Sequence, residues 1–141
     1  MARRFDHEKL KVYQAAIQFV AWSTELAAQI RSKAAVKDQL DRASTSIPLN
    51  IAEGNGKFSV RDRARFLEMA RGSALECAAC LDVLLVRKLA TEEQIIGPKE
   101  KLARIVQMLI GLLRKFSDRA EGLRDDEPAY SVEHDYEQEH D

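Results

Sequence analysis

Five basic residues cluster near the middle of the sequence, around the start of the third predicted helix. They are Lys57, Arg61, Arg63, Arg65 and Arg71. Arg61 and Arg65 lie four residues apart and therefore share one face of a helix. Such a cluster can neutralise several phosphates, which predicts a salt-sensitive, sequence-independent affinity for RNA or DNA. In the alternative interpretation the arginines are only solvated, and Arg65 pairs with Glu68 one turn away.

A second group of polar residues runs along the second predicted helix at spacings of three and four. This polar stripe consists of Gln39, Arg42, Ser46, Asn50 and Glu53, and Lys57 continues it. One interpretation makes it a recognition surface, or the charged lining of a pore at the centre of a ring. The other, which we favour, makes it a buried polar network that sets helix register and subunit contacts, with Arg42 and Glu53 offsetting each other.

The other residue types that could do chemistry form no recognisable catalytic or metal site. Cys77 and Cys80 have the CxxC spacing, but no second pair exists, and the histidines at positions 7, 134 and 140 lie in the terminal segments. Cysteines in the middle of a helix favour packing over metal or redox chemistry. The sequence has no serine–histidine–aspartate set and no phosphate-binding glycine loop. We therefore expect a protein that is not an enzyme and has no metal or cofactor, unless a site forms between subunits.

Length and composition describe the fold that must hold these residues. A chain of 141 residues is sufficient for one domain with its own core. Six glycines, three prolines and 6% aromatic residues favour helices over strands. The N-terminus lacks the apolar core of a signal peptide, and the longest apolar run, near residues 106–113, is too short to span a bilayer. We expect an all-α, cytoplasmic protein whose cysteines are reduced.

The net charge of −1 hides an uneven distribution of charge along the chain. Residues 121–141 contain nine acidic residues and one basic residue, so residues 1–120 contain 14 acidic and 21 basic residues. A body of net charge +7 with a tail of net charge −8 is a first indication of a polyanionic partner. We assign residues 1–120 to the helical domain. Residues 121–141 have too few apolar side chains to fold alone, and we expect them to be disordered.

The first predicted helix is apolar over more than half of its circumference. Its first apolar stripe contains Val12, Ala16, Phe19, Ser23, Leu26 and Ile30, and its second contains Leu10, Tyr13, Ile17, Val20, Thr24 and Ala27. The core of one bundle uses only about three positions in seven of each helix. One of the two stripes is therefore surplus to the core of one bundle, and a surplus stripe is predicted to face another subunit, with neither stripe singled out by the sequence.

The second predicted helix, from about 35 to 56, contains a proline. We expect a kinked but continuous helix in which the hydroxyls around Ser44 partly satisfy the backbone freed by Pro48. A break at Ile47 is the alternative, because a residue before proline is biased out of the α region. The helix is expected to end at Gly54-Asn55-Gly56 through a left-handed glycine.

Two capping boxes predict the starts of the third and fourth helices. Ser59 precedes Asp62 by three residues, and Thr91 precedes Gln94 in the same way, although Pro98 is an alternative start for the fourth helix. Small residues dominate the middle of the third helix, which lets a neighbouring helix approach closely. Four helices joined by short connections must run as antiparallel neighbours in an up-down bundle.

Three segments carry a more specific pattern. The central one runs from Gln39 to Gly54 and contains Ser-Ile-Pro-x-Asn-Ile-Ala-Glu-Gly; residues 10–16 precede it and residues 66–76 follow it. In order and spacing, from about residue 5 to 118, the chain resembles the bacterial four-helix bundle proteins first found in intervening sequences of large-subunit ribosomal RNA genes. It departs from their pattern at Asp41, where a second basic residue is common, and at Asn55-Gly56-Lys57, which replaces aromatic-glycine-arginine.

The resemblance implies an antiparallel four-helix bundle that assembles into rings, typically pentamers, with no known enzymatic activity. A related accessory protein of diversity-generating retroelements forms a similar pentameric barrel that binds nucleic acid and a reverse transcriptase. We therefore expect a homo-oligomeric scaffold or adaptor that binds RNA or DNA through its basic residues. The alternative is a protein–protein interaction module with no nucleic-acid role, whose acidic tail mimics nucleic acid or shields the basic body.

Overall fold

The computed structural model describes the backbone of residues 4–123 and the side chains of residues 4–118. A short 3₁₀ turn precedes four α-helices, and no strand occurs in this part of the chain. The turn is Asp6–Lys9, and the helices are α1 (Lys11–Gln29), α2 (Ala35–Asn55), α3 (Val60–Val86) and α4 (Glu92–Leu123). The expected all-α class and the number of helices are confirmed.

The helices form an antiparallel up-down bundle. Each helix packs against its neighbours in the sequence, and α1 also packs against α4, which closes the ring of four. Gln94 at the start of α4 donates to Gln29 at the end of α1, and Lys101 donates to Gln18, both at 2.9 Å. Between these two contacts the residue number rises in α4 and falls in α1. The two helices therefore run in opposite directions. Connections of four or five residues leave no other arrangement for the remaining neighbours.

The core takes one stripe from each helix. In α1 the whole first apolar stripe is buried, with Phe19 at its centre. The second stripe is only half-buried at Tyr13 and Val20, and Ile17 remains 44% exposed. The prediction that one bundle cannot bury both stripes is therefore confirmed, and an apolar strip remains on the outside of α1.

Helix α2 continues through Pro48, as predicted. The hydroxyls of Ser44 and Thr45 donate to the carbonyl of Asp41, at 3.0 and 2.9 Å, and not to the groups freed by the proline. The expected compensation by these hydroxyls is therefore wrong. Pro48 itself is buried, so packing against the core favours the helical path despite the lost hydrogen bond.

The end of α2 differs from its prediction. No glycine in residues 4–123 has a positive φ, and Gly56 caps the helix with φ −83°. Gly54 has a different role, because a Cβ at this position would lie 2.9 Å from the Cβ of Phe66 in α3. The glycine is required by the close approach of two helices, and not by a left-handed turn.

The left-handed residue of the described chain is Lys88, with φ 61°, just after α3. The amide of Leu89 donates to the Leu84 carbonyl at 2.9 Å, and that of Lys88 donates to Leu85 at 3.0 Å. These two hydrogen bonds form a Schellman motif in which lysine takes the place that glycine usually occupies. A helix end of this kind was not predicted, because the sequence has no glycine there.

The predicted starts of α3 and α4 are confirmed. The Ser59 hydroxyl accepts from the amide of Asp62 at 3.3 Å. Thr91 and Gln94 form a reciprocal capping box, with bonds of 3.2 and 2.8 Å, so that α4 begins at Glu92 and contains Pro98 in its second turn. Helix α4 extends to Leu123, three residues beyond the predicted domain boundary. The expected disorder of the acidic tail concerns residues outside the described part of the chain.

Candidate nucleic-acid interface

The end of α2 and the start of α3 bring four of the five predicted basic residues together. The Ser59 cap starts α3 only four residues after α2 ends, so that Lys57 lies next to the first turns of α3. The guanidinium Nε of Arg63 donates to the Lys57 carbonyl and ties this connection to α3. Arg61 and Arg65 are exposed on the outside of the helix. We call Lys57, Arg61, Arg63 and Arg65 the basic cluster.

Phe66 organises part of this cluster. The Lys57 ammonium lies 5.0 Å from the centre of the Phe66 ring, and the Arg65 guanidinium lies 5.2 Å from it. The face of an aromatic ring attracts cations, so the ring holds both charges near one another in spite of their repulsion. Sequence analysis singled out the basic residues and missed this role of Phe66. The position of Phe66 directly after Arg65 was the feature of the sequence that could have indicated this role.

The charge of Arg65 is only weakly compensated within the described part of the chain. Arg65 lies 3.7 Å from Asp62, and the two side chains are 66% and 48% exposed. An exposed pair at this distance contributes little and is screened by salt. The predicted pairing of Arg65 with Glu68 is not found, because Glu68 pairs with Arg71 instead. Arg65 is therefore able to exchange Asp62 for a phosphate at low cost.

Arg71 does not belong to the exposed cluster. Its side chain is 7% exposed, and its Nε donates to Glu68 Oε1 at 2.8 Å. The residue lies between Ala70 and Ala74 on the buried side of α3, where the carboxylate of Glu68 neutralises it. Including Arg71 among the candidate phosphate ligands was wrong, since a charge held inside the bundle cannot reach a phosphate outside it.

The polar stripe of α2 divides into two parts. In its middle, the Asn50 amide donates to the carbonyl and hydroxyl of Ser46, at 2.9 and 2.8 Å. The Ser73 hydroxyl of α3 also donates to Ser46, at 2.9 Å. This half-buried link sets the register of α2 against α3, as we favoured from the sequence. Ser73 was missed as a partner because its position fits an apolar pattern.

The outer members of the stripe behave differently. Gln39, Arg42 and Glu53 are exposed, and neither Arg42 nor Glu53 has an ion-pair partner among the described residues. Arg42 and Glu53 are separated by eleven positions of one helix, which is ~16 Å. The expectation that these two charges offset each other in a buried network is therefore wrong.

The two cysteines are buried side by side in α3. Cys77 and Cys80 are free thiols, and both contact the core. Burial, together with the nearby Cys80 and Glu76, raises the pKa of Cys77 to about 12. Burial also raises the pKa of Cys80. Because the thiolate is the form that binds metals and attacks substrates, this environment favours packing, as predicted.

The outward face of α3 carries an unexpected apolar seam. Its positions recur at spacings of three and four and are exposed; Met69, Gly72, Ala79, Val83 and Val86 are apolar, and Glu76 is the charged residue among them. Beside it, a groove of about 530 Å³ between α3 and α4 is lined mainly by apolar side chains, including Leu75, Ala78 and Val106. The small residues of α3 were predicted to admit a neighbouring helix. Within the described chain no atom lies within 4 Å of a Cβ built on Gly72, so this face is open.

Comparison with known proteins agrees with the fold and the signature. Residues 8–111 match the family model of the 23S rRNA-intervening sequence proteins. This chain belongs to that family. A crystal structure from Bacteroides thetaiotaomicron, described as a protein of unknown function from the S23 ribosomal protein family, is similar with a TM-score of 0.70 and 24% identity. The alignment covers 73% of this chain and 98% of the Bacteroides chain. No curated protein matches the sequence.

Family membership makes the Gly54 contact easier to understand. The matched region contains the whole Ser-Ile-Pro-x-Asn-Ile-Ala-Glu-Gly segment, and in this member of the 23S rRNA-intervening sequence proteins its serine, asparagine and glycine all lie where α2 meets α3. The signature thus describes one helix–helix junction. None of the helices in the described part of this family member has the length and apolar character that a membrane-spanning segment requires.

Proposed function

We propose that this protein is a non-enzymatic, cytoplasmic, homo-oligomeric scaffold that forms a ring and binds RNA or DNA through its basic cluster. The observation that carries the proposal is the exposed apolar seam of α3. Val86 is 79% exposed and Met69 is 49% exposed, although both lie on a regular helical repeat. Apolar residues that recur every three or four positions over more than two heptads are typical of a helix face that packs against another helix.

A ring requires two different contact surfaces on each subunit. The seam lies on α3, and the exposed remainder of the second apolar stripe lies on α1, at the diagonally opposite corner of the bundle. Contact between the α3 face of one subunit and the α1 face of the next is head-to-tail, and repeated head-to-tail contacts close into a ring when the rotation between successive subunits divides a full turn. The pentamer is the ring size that the family resemblance implies.

Light scattering of the purified protein tests the scaffold. We expect a mass of several subunits at micromolar concentration. The variant Ala79→Arg should give monomers, because it places a long charged side chain at a small apolar position of the seam that is exposed in the single subunit. Ser32→Arg adds the same charge to the exposed α1–α2 connection and should leave the mass unchanged. A strictly monomeric wild-type protein would exclude the scaffold.

The nucleic-acid part of the proposal depends on the basic cluster. Repeated around a ring, four cations per subunit would neutralise many phosphates, which predicts binding that weakens steeply with salt. Fluorescence anisotropy with a labelled 20-nucleotide RNA of mixed sequence measures it. The double variant Arg61→Gln, Arg65→Gln should bind more weakly with a shallower salt dependence. Arg87→Gln with Lys88→Gln, at the other end of the bundle, is the matched control.

A protein–protein interaction module without a nucleic-acid role is the second candidate. Phe58 favours it, because this side chain is 100% exposed in the connection between α2 and α3, and Leu49 on α2 is 61% exposed. Aromatic side chains such as Phe58 are enriched in protein interfaces relative to the rest of the surface. A wild-type protein that assembles normally and shows no RNA binding at low salt would favour this candidate over the first.

A further inference from the structure

Helix α4 carries the chain to the basic end of the bundle. Lys99 donates to Asp82 at 2.6 Å and sets the antiparallel register of α3 and α4. Seventeen residues further along α4, Phe116 lines the same small cavity as Arg63, Gly54 and Leu10. At 1.5 Å per residue, Leu123 is only ~10 Å beyond Phe116 along the helix axis. Helix α4 therefore ends beside the basic cluster, and the part of the acidic tail beyond this helix, residues 124–141, follows it in the sequence.

The two ends of the bundle differ in charge. The end from which the tail leaves comprises residues 4–11, 53–65 and 114–118, with nine basic and five acidic side chains. The opposite end, residues 25–38 and 82–93, is of equal length and has five of each. The first end thus has a net charge of +4, and the second is neutral. Hydrogen bonds between the segments show that they share an end. Asn55 donates to Asp6 at 3.1 Å at the first end, and Gln94 donates to Gln29 at the second.

The tail has the opposite charge and sufficient length. Residues 124–141 contain eight acidic residues and one arginine, a net charge of −7. Eighteen residues can span up to ~60 Å when extended, so every cation of the basic end lies within reach. Since the tail is joined to the bundle, its effective concentration at a nearby site is on the order of millimolar, which allows weak ion pairs to be occupied.

We propose that the acidic tail docks on the basic end of its own chain, against the basic cluster, and competes there with nucleic acid. The competition, but not the docking, rests on the proposed function. Arg61 and Arg65 are the main contacts, because both are exposed and Arg65 has only the weak Asp62 pair to exchange. Docking of this kind is electrostatic and is screened when the Debye length falls to about 3 Å at 1 M salt.

Carbodiimide cross-linking of the full chain tests the docking without any nucleic acid. The reagent joins carboxylates to lysines, and Lys57 is the reporter. We expect cross-links from the tail to Lys57 at 20 mM salt, fewer at 500 mM salt, and few at either salt to the exposed Lys33 and Lys88 of the opposite end. The variant Arg61→Gln, Arg65→Gln should lower the yield at Lys57. An unchanged yield in this variant would overturn docking on the cluster.

Two further measurements complete the test. An equal mixture of ¹⁴N- and ¹⁵N-labelled full chains, left until subunits have exchanged, distinguishes the source of the tail. Docking on the same chain gives almost no mixed-isotope cross-links, whereas docking only between chains gives about half, and a mixed fraction near one half would overturn docking on the same chain. In the anisotropy assay, the full chain with all eight tail acids replaced by their amides should bind the 20-nucleotide RNA about tenfold more tightly at 50 mM salt. Equal affinity of the two proteins would overturn the competition. If neither protein binds RNA while the cross-links form as expected, the docking stands and the proposed function fails.

Discussion

Gly54 of α2 and Phe66 of α3 are in such close contact that a Cβ added to the glycine would lie 2.9 Å from the Cβ of the phenylalanine. The same glycine faces the Arg63 carbonyl at 3.2 Å, so backbone limits the space on one side. Phe66 in turn holds Lys57 and Arg65 over its ring. The packing of α2 against α3 and the arrangement of the basic cluster therefore both depend on the absence of a side chain at Gly54.

Gly54→Ala should destabilise the protein although alanine is the better helix former. The clash forces α2 and α3 apart, and overpacking of this kind costs roughly 1–3 kcal/mol. Urea denaturation at one protein concentration measures it. Gly111→Ala is the control, because no atom lies within 4 Å of a Cβ at that exposed position of α4, and it should stabilise by roughly 0.5–1 kcal/mol. If Gly54→Ala is as stable as the wild type, α2 and α3 can move apart at this contact without loss of stability.

Lys88→Gly should raise the free energy of unfolding by about 1 kcal/mol. Lysine at φ 61° bears the steric cost of the left-handed conformation, which glycine avoids. Thermal and urea denaturation both report the change. Lys88→Ala removes the same charge but keeps the Cβ, so it should give no gain. If the alanine variant gained as much as the glycine variant, charge and not backbone strain would be the cause.

The Ser46–Ser73 hydrogen bond should contribute measurably to stability. Ser73→Ala removes the donor and should cost about 1 kcal/mol. A double-mutant cycle with Ser46→Ala isolates the pair and should give a coupling of roughly 0.5–1.5 kcal/mol. Because Asn50 also donates to Ser46, the Ser46→Ala variant should be the less stable of the two single variants. A coupling near zero would mean that the link does not set the register.

Arg71→Met should be far more destabilising than Arg65→Met. Removing one partner of a buried ion pair costs roughly 3–5 kcal/mol, and the 30% exposure of Glu68 lowers this to about 1–3 kcal/mol because water reaches the carboxylate. Arg65 is 66% exposed, so its replacement should cost below ~1 kcal/mol. Adding Glu68→Leu to Arg71→Met should restore part of the loss. Equal costs at the two arginines would contradict the burial of Arg71.

The contribution of Cys77 to stability should fall at alkaline pH. Its pKa rises from 9.0 to about 12 on folding, so between these values the unfolded chain releases the thiol proton and the folded chain retains it. The stabilisation is complete below pH 9, and it is lost as the pH rises from 9 toward 12. The difference in unfolding free energy between wild type and Cys77→Ala should therefore change by up to ~1.4 kcal/mol per pH unit in this window. A constant difference would indicate a solvated thiol.

Local signals in the sequence were sufficient for most of the fold. The stripes predicted four helices, Ser59 and Thr91 predicted the starts of α3 and α4, and the surplus stripe of α1 predicted the exposed Ile17. Each of these depends on residues within about four positions of one another, where the geometry of a helix is already known. The exceptions are two helix ends: α2 ends without the predicted left-handed glycine, and nothing in the sequence around Lys88 distinguishes a left-handed residue from an ordinary one.

The candidate site depended more on tertiary structure. The sequence alone determined that basic residues surround the start of α3 and that an acidic segment ends the chain. Only the packed bundle decided that Arg71 points inward to Glu68, that Phe66 lies beside Gly54, and that Ser46 meets Ser73. Only the register of α4 against α3 brought the end of α4 beside the basic cluster. The physical reason is that periodicity specifies which face of a helix is apolar, whereas the rotation and offset between two helices depend on side chains that are distant in sequence and meet only on packing.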